Sequence, residues 1–98
     1  MDIIEINKVL SNQVRIDILK WLKKPEENFP APLTFHDFGI SVGLIHKKTG
    51  LSQSTVSEYL NMLLRTKLLI CTRNGKWTYY KRNESEILKY LTTLSDEL

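Results

Sequence analysis

VGLIHKKTGLSQSTVSEYLNMLLRTKLLICTRNGKWTYY, Val42 to Tyr80, is the stretch whose reading decides the fold. From Val42 to Thr49, apolar Val42 and Ile45, with Leu44, turn one side of a short helix inward, and Ser41 stands before it as an N-cap. Gly50 follows where a helix ends in the left-handed conformation, which glycine reaches without a Cβ clash. Leu51 fills the turn, and Ser52 caps a second helix, Gln53 to about Thr66. Val56, Leu60, Leu63 and Leu64 recur at helical spacing and form its core-facing stripe. Leu68 to Thr72 and Lys76 to Lys81 are rich in Ile, Thr, Trp and Tyr and read as strands. Asn74-Gly75 joins them, since both residues tolerate positive φ and mark a tight hairpin.

Helix, glycine turn, helix and hairpin in this order form the plan of a winged helix-turn-helix, which puts its second helix into a DNA major groove. The outer face of that helix has the residue types such a role needs. Gln53, Ser54, Ser57, Glu58 and Asn61 are small or polar and lie in its first turns. Gln and Asn pair with adenine edges, Ser with several edges, and Glu with the cytosine amino group. A polar face also arises on any solvated helix, and it is the flanking glycine turn and hairpin that favour base reading. Arg73 and Lys76 flank the hairpin turn, a position suited to phosphate or minor-groove contact. Trp77, Tyr79 and Tyr80 are open to two readings, stacking on bases or packing the core.

Charge supports the same assignment. The 98-residue chain has a net charge of +3, unevenly spread. Phe38 to Asn83 holds eight basic residues, Lys47, Lys48, Arg65, Lys67, Arg73, Lys76, Lys81 and Arg82, against one acid, Glu58. That block is +7, so the remainder is −4. Clustered cations displace condensed counterions from phosphates, the electrostatic footprint of a polyanion binder. Lys47, Lys48, Arg65, Arg73 and Lys76 are the expected phosphate contacts.

Outside this stretch the chain reads as support. Its length fits one domain over residues 1–98. DIIEINKVL has apolar Ile3, Ile4, Ile6, Val9 and Leu10 and predicts a short helix. Ser11 is the expected N-cap of a helix from about Asn12 to Lys23, with Val14, Ile18, Leu19 and Leu22 inward and Pro25 as its stop. Residues 25–41 contain all three prolines and read as one long loop pinned by Phe29, Phe35 and Phe38, either a connector or the wall of a ligand pocket or dimer contact. Asn83 caps a last helix to Leu98, with Glu86 at the capping-box position. Ile87, Leu91, Leu94 and Leu98 form its apolar stripe, which Leu88 and Tyr90 widen. So apolar a terminal helix needs a partner surface, and with Ile3 and Ile4 of the first helix it predicts a two-fold homodimer.

The overall expectation is a mainly α fold of about five helices with a two-stranded wing. Other classes fit poorly. No apolar run is long enough to span a membrane, and a single cysteine, Cys71, makes no internal disulfide, which fits a cytoplasmic setting. There is no nucleophile-and-base pair, no carboxylate cluster and no phosphate-cradling glycine loop, so an enzyme is not expected. The competing class is a winged-helix protein-interaction module without specific DNA binding, for which Glu58 on the reading face speaks.

KVLSNQVRIDILKWL, GLSQSTVSEYLNMLLRTKLL and RNGKWTYYKR, in this order, resemble the ArsR/SmtB (arsenic-repressor-type) regulators of prokaryotes. The resemblance implies a cytoplasmic homodimer on the first and last helices, bound to an inverted-repeat operator. It also implies repression until an inducer, unspecified by these residues, weakens the complex with double-stranded DNA. Tyr59 stands where family members commonly place a histidine. The paired cysteines or Asp/His sets of metal-sensing members are missing around Val42 to Lys47 and on the last helix. Cys71, His36 and His46 are too scattered to form a soft-metal site, so neither metal nor cofactor is expected.

Overall fold

The computed structural model describes residues 1–30 and 37–98. Their elements in order are α1 (Ile3–Leu10), α2 (Gln13–Lys23), α3 (Pro25–Asn28), β1 (Ile40–Ser41), α4 (Val42–Thr49), α5 (Gln53–Arg65), β2 (Leu69–Asn74), β3 (Trp77–Arg82) and α6 (Glu84–Glu97). Among the described residues this makes six helices and a three-stranded antiparallel sheet of order β1-β3-β2.

The helix boundaries follow from caps. Asp2 accepts from the Glu5 N–H and starts α1, which buries Ile6 and Val9. Ser11 does not cap α2. Its hydroxyl donates to the Lys8 carbonyl at 2.7 Å and closes α1 instead, while Asn12, in extended backbone, accepts from the Arg15 N–H. Asparagine caps a helix as well as serine does, so with Ser11 closing α1 the cap of α2 lies one residue further on. Pro25 ends α2 as expected but also opens α3 in its first turn, where the missing N–H costs nothing.

Residues 25–41 are therefore not one loop. They contain α3, the buried Phe29 and the strand β1. Phe38 is half-buried with its ring 5.8 Å from that of Tyr79, and Phe35 lies outside the described residues. β1 pairs with β3 through Ile40↔Tyr80 and Ser41↔Tyr79, so the wing belongs to a three-stranded sheet rather than a two-stranded one. Gly39 makes that pairing feasible. Its φ is +103°, and a Cβ there would fall 2.1 Å from the Tyr80 carbonyl oxygen.

The hairpin is shifted from its expected register. Asn74 pairs with Trp77, leaving Gly75 and Lys76 as the two-residue turn. Gly75 has φ +63° and Lys76 is not in the positive-φ region, the pattern of a II′ turn, which asks for glycine first. The strands run accordingly to Asn74 and to Arg82, beyond the expected Thr72 and Lys81.

The core lies between α2, α4, α5 and the sheet. Ile18, Ile45, Leu60 and Leu63 are fully buried, with Val56, Leu68 and Ile40 nearly so. Each such side chain contributes about 1.5–3 kcal/mol relative to exposure. On α6 only Tyr90 is buried, and its hydroxyl donates to the Asn7 side-chain oxygen of α1. Asn83 caps α6 through the Glu86 N–H at 3.4 Å, but the capping box is not reciprocal. The Asn83 N–H goes to the Leu68 carbonyl, and the Glu86 carboxylate to Lys89.

Candidate nucleic-acid interface

Two turns present α5. Gly50, at φ +69°, ends α4 in the left-handed conformation. Thr49 Oγ1 accepts from the Leu51 N–H at 3.2 Å and stiffens the turn. Ser52 accepts from the Thr55 N–H and its hydroxyl donates to Thr55 Oγ1 at 2.8 Å, so the first turn of α5 is well fixed. With Val56, Leu60 and Leu63 buried on one side, the opposite side has no choice but solvent.

That side is the expected reading face. Gln53, Ser54, Ser57, Glu58 and Asn61 are all exposed. Ser54, Ser57, Glu58 and Asn61 line a shallow open depression whose far end is formed by Leu64 and Arg65. Ser54 shares its hydroxyl with Ser52 at 3.3 Å, whereas Gln53, Glu58 and Asn61 make no side-chain hydrogen bond to another described residue. Their donors and acceptors are available to an outside partner.

The basic residues divide into two groups. Lys47 and Arg65 are exposed and make no ion pair or ring contact among the described residues. Arg73 lies on β2 opposite Thr78, and Lys76 in the turn holds its ammonium 5.5 Å from the Trp77 ring centre. Lys48 is different: its ammonium lies over the rings of Trp21 and Phe29, at 5.1 and 5.7 Å, tying α4 to α2 and the end of α3. Arg82 is bound to Glu84 at 2.9 Å and donates to the Leu19 carbonyl, so its charge is spent inside the fold. Lys81 donates to the Asp37 carbonyl at 3.4 Å. The footprint counted from sequence is thus smaller in space than in number.

The three wing aromatics have distinct fates. Tyr80 is buried, Tyr79 meets Phe38, and Trp77 is 56 % exposed. Burial, with the neighbouring Cys71, pushes the Tyr80 hydroxyl up to about 12, while Arg73 acts in the opposite sense. Cys71 is exposed.

The expected dimer residues also divide. Ile4, Leu91 and Leu98 are exposed at 63 %, 54 % and 96 %, together with Leu88 at 65 %. Ile3, Ile87 and Leu94 instead pack against the core cluster. Among the described residues no three His, Cys, Asp or Glu converge on a metal-sized site, and His36 lies outside them.

This arrangement has counterparts. The chain is 44% identical over 101 residues to an uncharacterized HTH-type transcriptional regulator, YbzH, of Bacillus subtilis (strain 168), with the whole of both chains covered. The chain belongs to the HTH-type transcriptional regulators. No family model matches it. Among solved structures, NolR from Sinorhizobium fredii superposes with a TM-score of 0.62 at 26% identity, over 94% of this chain and 79% of that one. The solution structure of a homodimeric winged helix-turn-helix DNA-binding domain from Mycobacterium bovis, described as a possible ArsR-family regulator, matches at 0.63. It shares 24% identity over 95% of this chain and 77% of that one, a likeness of fold. The regulator is accordingly a mostly helical winged helix-turn-helix with a three-stranded sheet. The relative that matches over its whole length is a transcriptional regulator, not an enzyme. No helix among the described residues is long and apolar enough to cross a membrane.

Sequence reasoning missed Gly39, the turn register and the internal roles of Lys48 and Arg82. Only Gly39 left a signal, a glycine just before Ile40 and the N-cap Ser41 at the start of a helix. A cluster of Asn12, Arg15 and Tyr59 beside the reading helix was also missed.

Proposed function

We propose that this regulator is a repressor of the ArsR/SmtB type that binds an inverted-repeat operator as a homodimer. The observation that carries the reading is the exposed polar face of α5, with Gln53, Glu58 and Asn61 lacking side-chain partners among the described residues. In a two-fold dimer the two reading helices enter successive major grooves about one helical turn apart. Gln53, Ser54, Ser57, Glu58 and Asn61 read bases, while Lys47, Arg65, Arg73 and Lys76 hold phosphates. Lys48 contributes to the local potential, but its ammonium is directed at Trp21 and Phe29. Dimerisation uses the apolar surface of Ile4, Leu88, Leu91 and Leu98, all of them exposed. Ile3, Ile87 and Leu94 back that surface from the core side. An inducer weakens the complex and relieves repression.

The test is binding of duplex DNA at several salt concentrations, with a binding site first enriched from a random library. Arg73→Ala should weaken enriched and scrambled duplexes alike and reduce the salt slope by about one. Gln53→Ala should cost roughly 1–3 kcal/mol on the enriched site and little on scrambled DNA. Unchanged affinity in both variants sinks the assignment of this face. The exposed carboxylate of Glu58 favours a second reading, a protein-interaction module. Absence of any salt-sensitive DNA binding by the unaltered chain would select it.

A further inference from the structure

Where α1 ends, α2 begins and α5 passes, one small polar cluster joins all three. Arg15, in the first turn of α2, donates from Nε to the Val9 carbonyl at 2.6 Å. That carbonyl belongs to the last turn of α1 and has no partner within its own helix. The guanidinium of Arg15 lies over the ring of Tyr59, 4.8 Å from its centre. Asn12 completes the cluster. Its side-chain oxygen accepts from the Arg15 N–H at 3.1 Å, and its side-chain nitrogen donates to the Tyr59 hydroxyl at 3.5 Å. All three residues are half-buried.

Tyr59 follows Glu58 directly and precedes Asn61 by two residues, so it lies beside the reading face. Val56, Leu60 and Leu63 fix how deeply α5 sits in the core. Such apolar contacts are non-directional and resist a small roll of a helix about its axis only weakly. Tyr59 packs against the core as well, but its contacts with Arg15 and Asn12 are directional. A planar guanidinium meets a ring face only in a narrow range of positions and donates in the plane of its fork at the same time. A roll of α5 that moved Gln53 and Asn61 along a groove would pull Tyr59 away from Arg15.

We propose that Arg15 and Tyr59 are positioning residues for DNA reading, setting the roll of α5 relative to α1. The inference rests on the DNA-binding reading above and deepens it. Because α1 and α6 carry the surface assigned to dimerisation, this joint also fixes how one reading helix is aimed relative to its copy. The consequence is selective. Loss of the joint impairs discrimination between sequences, while the number of phosphates held stays the same.

The experiment compares affinity for a duplex enriched from a random library with affinity for its scrambled version. Tyr59→Phe retains the ring under Arg15 and should hold the enriched-to-scrambled ratio within about twofold of the unaltered chain. Tyr59→Leu and Arg15→Met should each lower the ratio about tenfold, with the salt slope unchanged. The double variant should be no worse than either single one, because both remove the same contact. Equal loss on both duplexes, an additive double variant, or damage by Tyr59→Phe as great as by Tyr59→Leu overturns the proposal. Should the Leu and Met variants fail to fold by circular dichroism, Arg15→Lys decides, since it keeps the charge and loses the planar fork. Its ratio should fall roughly threefold, and an unchanged ratio overturns the proposal. Amide exchange across α5 in the free protein gives a readout without DNA. It should quicken in Tyr59→Leu relative to Tyr59→Phe, and equal rates overturn the joint. Failure of the unaltered chain to enrich any duplex refutes the DNA reading, and exchange then still judges the joint separately.

Discussion

Gly39 shows how one residue can hold two parts of this fold together. Its backbone approaches the Tyr80 carbonyl so closely that a methyl group would lie 2.1 Å from the oxygen, at a φ of +103°. Both the steric clash and the strained φ penalise any side chain there. Gly39→Ala should therefore destabilise the protein by more than about 2 kcal/mol, read as a shift in the urea unfolding midpoint with little change in slope. A neutral result would mean that β1 can detach from β3 at small cost. At this same scale, residue type alone does not tell where a basic side chain is directed. In the sequence Lys48 reads as a phosphate contact and Arg82 as one charge of the basic block, yet one lies on two aromatic rings and the other on Glu84 and a backbone carbonyl. Charge is legible from composition, but its direction depends on neighbours that are distant in sequence, such as Trp21 for Lys48.

Among the elements, α5 ends in an unusual way. The Leu68 N–H donates to the Leu63 carbonyl and the Lys67 N–H to that of Leu64, at 3.0 and 2.9 Å, the paired bonds of a Schellman motif. The residue that must take the left-handed conformation there is Lys67, at φ +66°, where glycine is the usual occupant. Lys67→Gly should stabilise the fold by about 0.5–1 kcal/mol, the relieved strain exceeding the extra entropy of the unfolded chain. Thermal unfolding would show it as a rise in Tm, and a fall would indicate that the lysine side chain contributes more than its backbone costs. This ending also explains what was legible. The apolar periods of α1, α2, α5 and α6 and the hairpin were readable because helical and strand spacing are local. The exposed polar face of α5 was readable as the complement of its buried stripe. The strand β1 was not, since two residues carry no period and their pairing partner is forty positions away, at Tyr80. The turn moved by one residue because Asn74-Gly75 and Gly75-Lys76 both suit a tight hairpin, and pairing of Asn74 with Trp77 selects the second.

At the scale of the whole molecule, the apolar surface of the first and last helices comes first. Leu88, Leu91 and Leu98 of α6 remain exposed with Ile4 of α1, the surface assigned above to dimerisation. Leu88→Lys combined with Leu91→Lys should weaken self-association by roughly a hundredfold and leave monomer stability nearly unchanged, because neither side chain belongs to the core. Sedimentation at several protein concentrations checks this, and a dimer that persists undiminished would rule out that surface. The same molecule contains a second, quite different design freedom. β1 reaches β3 only at Tyr79 and Tyr80, so the hairpin beyond Thr72 and Tyr79 projects as a cantilever anchored at its root. Lengthening each arm by two residues would extend its reach by about 7 Å and preserve which side chains face which way. An insertion of one residue per arm would exchange the two faces. The reach of the wing is therefore adjustable in steps of two, independently of the core that holds α5.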